Sequence, residues 1–89
     1  MKLIETVDMM NSVYYKERFK AEYWQLKIRY EKLKAFCNEV EALPMTELEV
    51  PKHDCPYHLL REQQKIMGEY LHILEIRAII EKIDLKEVE

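Results

Sequence analysis

Residues 15–43, YKERFKAEYWQLKIRYEKLKAFCNEVEAL, decide the fold, since they contain no Gly or Pro and are followed by Pro44. Apolar residues recur in them at alternating spacings of four and three, the pattern by which one helix face packs against an antiparallel partner. The pattern predicts a first helix from about residue 10 to residue 43. The apolar seam consists of Phe19, Tyr23, Leu26, Tyr30, Leu33, Cys37 and Val40.

A second helix is expected from about residue 57 to residue 83, after a connection at residues 44–56 that contains all three prolines. Its apolar residues form two stripes, which is more than one partner helix can cover. They are Leu60, Met67, Tyr70 and Leu74, and Leu59, Ile66, Ile73, Ile76, Ile80 and Ile83. The chain is therefore predicted to be one all-α domain over residues 1–89, a long antiparallel two-helix hairpin with a short N-terminal segment.

A second apolar set on the first helix indicates self-association. It lies on a different face from the seam, so a lone hairpin would leave it in water. Exposed aromatic residues in such a row are typical of a contact surface. The members are Tyr14, Ala21, Trp24, Ile28 and Ala35. We therefore expect a helical homo-oligomer that assembles through this face.

Composition and charge exclude several classes of protein. No apolar run approaches the roughly 18 residues of a membrane span, and the start lacks the apolar core of a signal peptide. A soluble, cytoplasmic protein is expected, with Cys37 and Cys55 reduced. The net charge is -3, yet residues 12–36 carry seven basic and three acidic side chains. The first helix can bind an anion locally, whereas the acidic second half disfavours general affinity for DNA or RNA.

Catalytic and metal chemistry find little support among the residues. Ser12 is the sole serine of the sequence, and no Gly-rich element supplies phosphate or oxyanion donors. His53, Cys55 and His58 lie close together in sequence, and Cys37 could approach them as the chain returns. Their spacing matches no recognised pair of zinc-ligand knuckles. We expect no enzymatic activity, no cofactor and no metal site.

Aromatic and basic residues are mixed at residues 14–18, YYKER, and at residues 29–32, RYEK. Cations bind phosphate and an unpaired base stacks on an aromatic ring, so the mixture suits a small nucleotide ligand. The other interpretation is that the aromatic residues belong to the core and the cations merely solvate the helix. Composition alone favours the second interpretation.

Two longer stretches carry a family resemblance. Residues 17–26, ERFKAEYWQL, followed by residues 32–36, KLKAF, resemble the first helix of the anti-CBASS cyclic-oligonucleotide sponges of tailed phages. Residues 60–70, LREQQKIMGEY, followed by residues 74–77, LEIR, are similar to the second helix of that family. The resemblance implies a homohexamer that sequesters cyclic dinucleotides such as cyclic GMP-AMP without cleaving them. By resemblance, cyclic trinucleotides are a further ligand class, and the action is in the infected bacterial host cell, against CBASS signalling.

The resemblance also implies binding residues at an interface between subunits. The dinucleotide pocket would use a tyrosine early in the first helix, matched here by Tyr14 or Tyr15. Its cation, about four turns later, is matched by Arg29 or Lys32, and an arginine there would pair with phosphate in a different geometry from lysine.

A trinucleotide site would use Arg77, with Tyr70 and Gln64 as further candidates on the second helix. Two other functions stay open beside the sponge. One is a structural or adaptor protein whose second apolar stripe engages a phage or host polypeptide, and the other is a weak DNA- or RNA-binding accessory protein.

Overall fold

Residues 1–87, the part of the chain that the computed structural model describes, are helical and contain no strand. Two long helices are joined by an irregular connection, and a short helix precedes them. The all-α prediction is therefore confirmed. The elements are a 3-10 turn at Leu3–Thr6, α1 at Val7–Met10, α2 at Tyr15–Ala42, a second 3-10 turn at Leu43–Thr46, and α3 at Tyr57–Glu81. Within these residues, none of the helices has the length and apolarity that crossing a membrane requires.

The helix α2 begins about five residues later than the sequence predicts. Residues 11–14 form a bend in which Ser12 Oγ accepts a hydrogen bond of 3.1 Å from the Tyr14 N–H. Short polar side chains compete in this way with the hydrogen bonds of a helix. Arg18 holds the bend by donating from Nη1 to the carbonyl oxygen of Ser12 at 2.8 Å. The bend separates α1 from α2, which the pattern treats as one continuous helix.

Contacts at both ends of the long helices show that α2 and α3 run antiparallel. Near the connection, Arg61 Nη2 on α3 lies 3.1 Å from Glu41 Oε1 on α2. At the opposite end, the guanidinium of Arg77 lies over the ring of Phe19, 4.8 Å from its centre. The two helices therefore form the antiparallel hairpin that the seam predicts.

The core lies at the end of the hairpin where α2 begins and α3 ends. Its buried side chains come from one face of each helix and from the residue that follows α3 by two positions. The core consists of Phe19, Tyr23, Leu71, Leu74, Ala78 and Ile83, with Trp24, Leu26, Tyr30 and Leu85 packed at its edge. Burial decreases towards the connection, although Cys37 of the seam is fully buried there.

The second apolar face of α2 is partly covered within the chain, where the sequence predicts that a lone hairpin would leave it in water, and only Tyr14 and Ala35 of its five members are exposed. Ala21 is buried and Trp24 is half-buried, because the N-terminal segment and the residues after α3 fold back over this face. Gln25 Nε2 donates to Thr6 Oγ1 at 2.9 Å, and Trp24 Nε1 donates to the carbonyl oxygen of Leu85 at 3.0 Å. A periodicity argument confined to two helices cannot foresee these returning segments.

The helix α3 exposes an apolar row that we call the α3 stripe. Its members, each 44–73% exposed, are Leu59, Ile66, Ile73, Ile76 and Ile80. Ile83, which the sequence assigns to the same row, is buried instead. The reason is the end of α3, where Lys82 is left-handed with φ 57° and the Ile83 N–H donates to the carbonyl oxygen of Ala78 at 2.8 Å. This turn directs Ile83 into the core.

Candidate ligand-binding site

Tyr14 and Tyr15 provide exposed aromatic surface at the start of α2. Tyr14 is 71% exposed and Tyr15 is 49% exposed. Together with Lys16 and Glu17 they line an open depression of ≈ 390 Å³. An exposed ring beside a lysine combines a stacking surface for a base with a positive charge for a phosphate.

Arg29 and Lys32 are exposed on the middle of α2. Within residues 1–87 neither side chain makes a hydrogen bond or an ion pair, whereas Lys27 Nζ lies 3.6 Å from a carboxylate oxygen of Glu31. Arg29 also borders a depression of ≈ 370 Å³ between α2 and the N-terminal segment. Cations without a carboxylate partner are available to bind phosphate.

Within one copy of the chain, the tyrosines and these cations are far apart. Tyr15 and Arg29 are fourteen residues apart on a continuous helix, which corresponds to about 21 Å at 1.5 Å per residue. The depression lined by Tyr14 and Tyr15 and the depression bordered by Arg29 are separate.

Arg77 lies at the end of the hairpin, among acidic and aromatic side chains. Its Nε donates to Glu81 Oε2 at 2.8 Å, while the guanidinium covers the ring of Phe19. The hydrogen bond from Arg77 lowers the pKa of Glu81, and the nearby Tyr15 hydroxyl adds to this effect. The same hydrogen bond raises the pKa of Arg77. The spacing of four residues between Arg77 and Glu81 on one helix is the sequence signal that could have predicted this pair.

Tyr70 lies near the middle of α3, seven positions before Arg77. Its hydroxyl donates to the carboxylate of Glu22 on α2, and this hydrogen bond raises the pKa of Tyr70. The charge of Glu22 also acts on Arg77. The fold thus gathers Tyr15, Glu22, Tyr70, Arg77 and Glu81 into one group, which we call the end cluster. Three of its members, Tyr15, Tyr70 and Arg77, were predicted as binding residues, but for two different sites.

Gln64 lies six positions before Tyr70 on α3, on the side towards the connection. It accepts a hydrogen bond from Arg61 Nη1, and Arg61 Nη2 also donates to Asn38 Oδ1 at 3.0 Å. Gln64 and Arg77 are thirteen residues apart on α3, or about 20 Å along the helix. The structure therefore does not bring the three trinucleotide candidates together in one copy. Arg61, which joins Gln64 to α2, has no distinctive signal in the sequence.

The histidine and cysteine residues of the connection are engaged in ordinary packing. The ring of His53 meets Phe36 edge-on with centroids 5.9 Å apart, and His53 Nδ1 lies 2.6 Å from the carbonyl oxygen of Cys55. Cys37 is a free, buried thiol on α2, towards the connection. In the part of the chain that the structure describes, no three His, Cys, Asp or Glu side chains are grouped so as to hold a metal ion.

Comparison with known proteins assigns the chain to a family. The sequence profile of the Sequestin family matches residues 14–80, about three quarters of the chain. No curated protein and no solved structure matches the chain. The matched range contains α2, α3 up to Ile80, and all seven predicted binding residues. The chain therefore belongs to the Sequestin family, whose name indicates a sequestering function.

Proposed function

We propose that this Sequestin protein binds cyclic oligonucleotide second messengers and sequesters them without cleavage. Cyclic dinucleotides such as cyclic GMP-AMP are the first ligand class, and cyclic trinucleotides are the second. Binding in the cytoplasm of an infected bacterium would block CBASS antiviral signalling. The proposal is carried by one observation, the presence on α2 of exposed tyrosines and of the cations Arg29 and Lys32, which lack acidic partners within residues 1–87.

The separation of about 21 Å between these groups supports an interfacial pocket. We propose that the pocket forms in a homohexamer, with Tyr14 or Tyr15 from one copy and Arg29 or Lys32 from another. A cyclic dinucleotide offers two bases and two phosphates, so a two-fold pair of subunits can present the same contacts to each half. Such a preformed, enclosed pocket binds tightly because little ordering is needed on binding.

The end cluster is the proposed place for a cyclic trinucleotide. Arg77 would supply a bidentate donor to phosphate, and Tyr70 would supply a ring and a hydroxyl. Arg77 is paired with Glu81, so an incoming phosphate must compete with that carboxylate. Gln64 would join the site from another copy, because it lies about 20 Å from Arg77 in its own chain.

Calorimetric titration with 3′,3′-cyclic GMP-AMP tests the proposal. We expect tight binding, and recovery of chemically intact ligand after the protein is denatured by heat. Arg29→Ala combined with Lys32→Ala should abolish binding and leave the assembly intact. The matched control is Lys34→Ala, which removes a cation of the same helix that lies over the Tyr30 ring. Absence of heat with this ligand and with a cyclic trinucleotide would refute the proposal.

An adaptor function, in which Tyr14, Tyr15 and Arg29 serve a protein interface, is the second candidate, and it is favoured by the exposed rings of the two tyrosines. Reversing the charges with Arg29→Glu and Lys32→Glu separates the two functions. A sponge loses its ligand and keeps its assembly, whereas an adaptor that uses this face loses a protein partner. Binding to DNA or RNA would instead weaken steeply as salt concentration rises.

A further inference from the structure

The exposed apolar α3 stripe contains none of the proposed nucleotide-binding residues, although Tyr70 and Arg77 of the end cluster flank it. Ile66, Ile73 and Ile80 follow one another at intervals of seven residues and are 54%, 56% and 73% exposed. They point away from the face of α3 that contributes Leu71 and Leu74 to the core. Continuous apolar rows of this kind are uncommon on monomeric proteins and usually mark an interface.

The apolar residues of this surface lie at equal intervals before and after Ile73. Suppose that a two-fold axis passes beside Ile73. A residue that lies a given number of positions before Ile73 in one copy is then level with the residue that lies the same number of positions after Ile73 in the second copy. Ile66 and Ile80 lie seven positions on either side of Ile73, so Ile66 of one copy would meet Ile80 of the second copy. Tyr70 and Ile76, three positions on either side, would meet in the same way.

The charges beside the stripe match in the same register. Glu69 and Arg77 lie four positions before and after Ile73, and Lys65 and Glu81 lie eight positions before and after it. Antiparallel pairing centred on Ile73 therefore sets an acidic residue opposite a basic one at four places. Parallel pairing would set Glu69 against Glu69 and Arg77 against Arg77, which is repulsive.

We infer that two copies of this chain pair through α3, antiparallel, across a two-fold axis at Ile73. The inference rests on the proposed self-association but not on the proposed ligand. It names a surface different from the α2 face that the sequence suggested. It also extends the end cluster, because Glu69 of the second copy would approach Arg77, which Glu81 already holds at 2.8 Å.

Disulfide trapping tests the register. In a Cys55→Ser background, where the remaining Cys37 is buried, Ile73→Cys lies on the axis and should form a covalent dimer on mild oxidation. Ile66→Cys should not, because its two copies would be about 21 Å apart along the helix pair. Combining Ile66→Cys with Ile80→Cys should restore the dimer on a non-reducing gel. Self-linking of Ile66→Cys alone, or no linking of Ile73→Cys, would overturn the inference.

Charge exchange provides a second measurement that does not depend on cysteine chemistry. Glu69→Arg would face Arg77 of the second copy, and the molar mass measured by light scattering should fall at least two-fold. Adding Arg77→Glu restores opposite charges and should restore the mass, with circular dichroism showing that both variants remain folded. An unchanged mass in Glu69→Arg would overturn the register, and a monomeric wild-type protein would overturn the self-association as well. Failure to bind cyclic nucleotides, with the crosslinks formed as expected, would refute the ligand alone.

Discussion

The indole nitrogen of Trp24 donates a hydrogen bond of 3.0 Å to the carbonyl oxygen of Leu85, which lies 61 residues further along the chain. The bond ties the segment that follows α3 to the side of α2. Leu85 itself packs at the edge of the core, next to the buried end of the hairpin. The hairpin is thus closed by the chain after its second helix as well as by the contact between the two helices.

Replacing Trp24 by Phe should destabilise the protein. Phe keeps an aromatic ring but cannot donate to Leu85, which leaves that carbonyl oxygen without its partner. We expect a loss of about 1 kcal/mol in the free energy of unfolding, measured by urea denaturation followed by circular dichroism. Tyr14→Phe, a change at an exposed ring, is the control and should stay within about 0.5 kcal/mol of wild type. An unchanged unfolding midpoint in Trp24→Phe would show that the hydrogen bond contributes nothing.

Gly68→Ala should gain less stability than helix propensity predicts. Ala is favoured over Gly inside a helix by about 1 kcal/mol. However, a Cβ at Gly68 would lie 3.1 Å from Cε1 of Tyr30, so the ring must move. In a Tyr30→Ala background the obstacle is absent, and Gly68→Ala should then stabilise by about the full 1 kcal/mol. A double-mutant cycle by chemical denaturation measures the difference, and equal effects in both backgrounds would contradict the close approach.

The pair of Arg77 and Glu81 should contribute stability that depends on pH. The hydrogen bond from Arg77 lowers the pKa of Glu81 in the folded state below its ordinary value of 4.5. Stability from this carboxylate is therefore present above about pH 4.5 and is lost as the pH falls through the folded-state pKa. Glu81→Gln should have a lower urea midpoint than wild type at neutral pH, and the two midpoints should converge in acid. A difference that persists unchanged at low pH would contradict this assignment.

Two inactive variants should complement each other if the dinucleotide pocket lies between copies. One variant carries Tyr14→Ala with Tyr15→Ala, and the other carries Arg29→Ala with Lys32→Ala. Each should bind cyclic GMP-AMP at least ten-fold more weakly than wild type. When the two are unfolded together and reassembled in equal amounts, random mixing places one copy of each variant in about half of the two-fold pockets, and each of these has an intact tyrosine and an intact cation on one of its two halves. Calorimetry should then recover binding by these half-intact pockets, and no recovery would contradict a shared pocket.

The sequence predicted the helices well because their signal is local. The seam from Phe19 to Val40, free of Gly and Pro, predicts a helix from its local pattern, and the prolines mark the connection. The start of α2 was the exception. The bend at residues 11–14 depends on hydrogen bonds to Ser12 that a periodic pattern does not record.

The sequence predicted individual residues of the candidate site, but not which of them lie close together in space. Tyr70 and Arg77 lie seven positions apart on one helix and therefore share a face, but nothing in the sequence says that Tyr15 of the other helix lies near Arg77. Gln64 shares a helix with Arg77 yet lies far from it. Distances between residues on different helices are set by the register of packing, which one helix alone does not encode.

The sequence by itself determined that the chain forms two long amphipathic helices, because apolar periodicity and the absence of breakers act within a few residues. The tertiary structure decided which apolar faces remain exposed. Ala21 and Trp24 are covered because the two ends of the chain return to α2, whereas Ile73 and its neighbours on α3 receive no such cover within residues 1–87. Burial depends on contacts between distant segments, and a repeat within one helix carries no information about them.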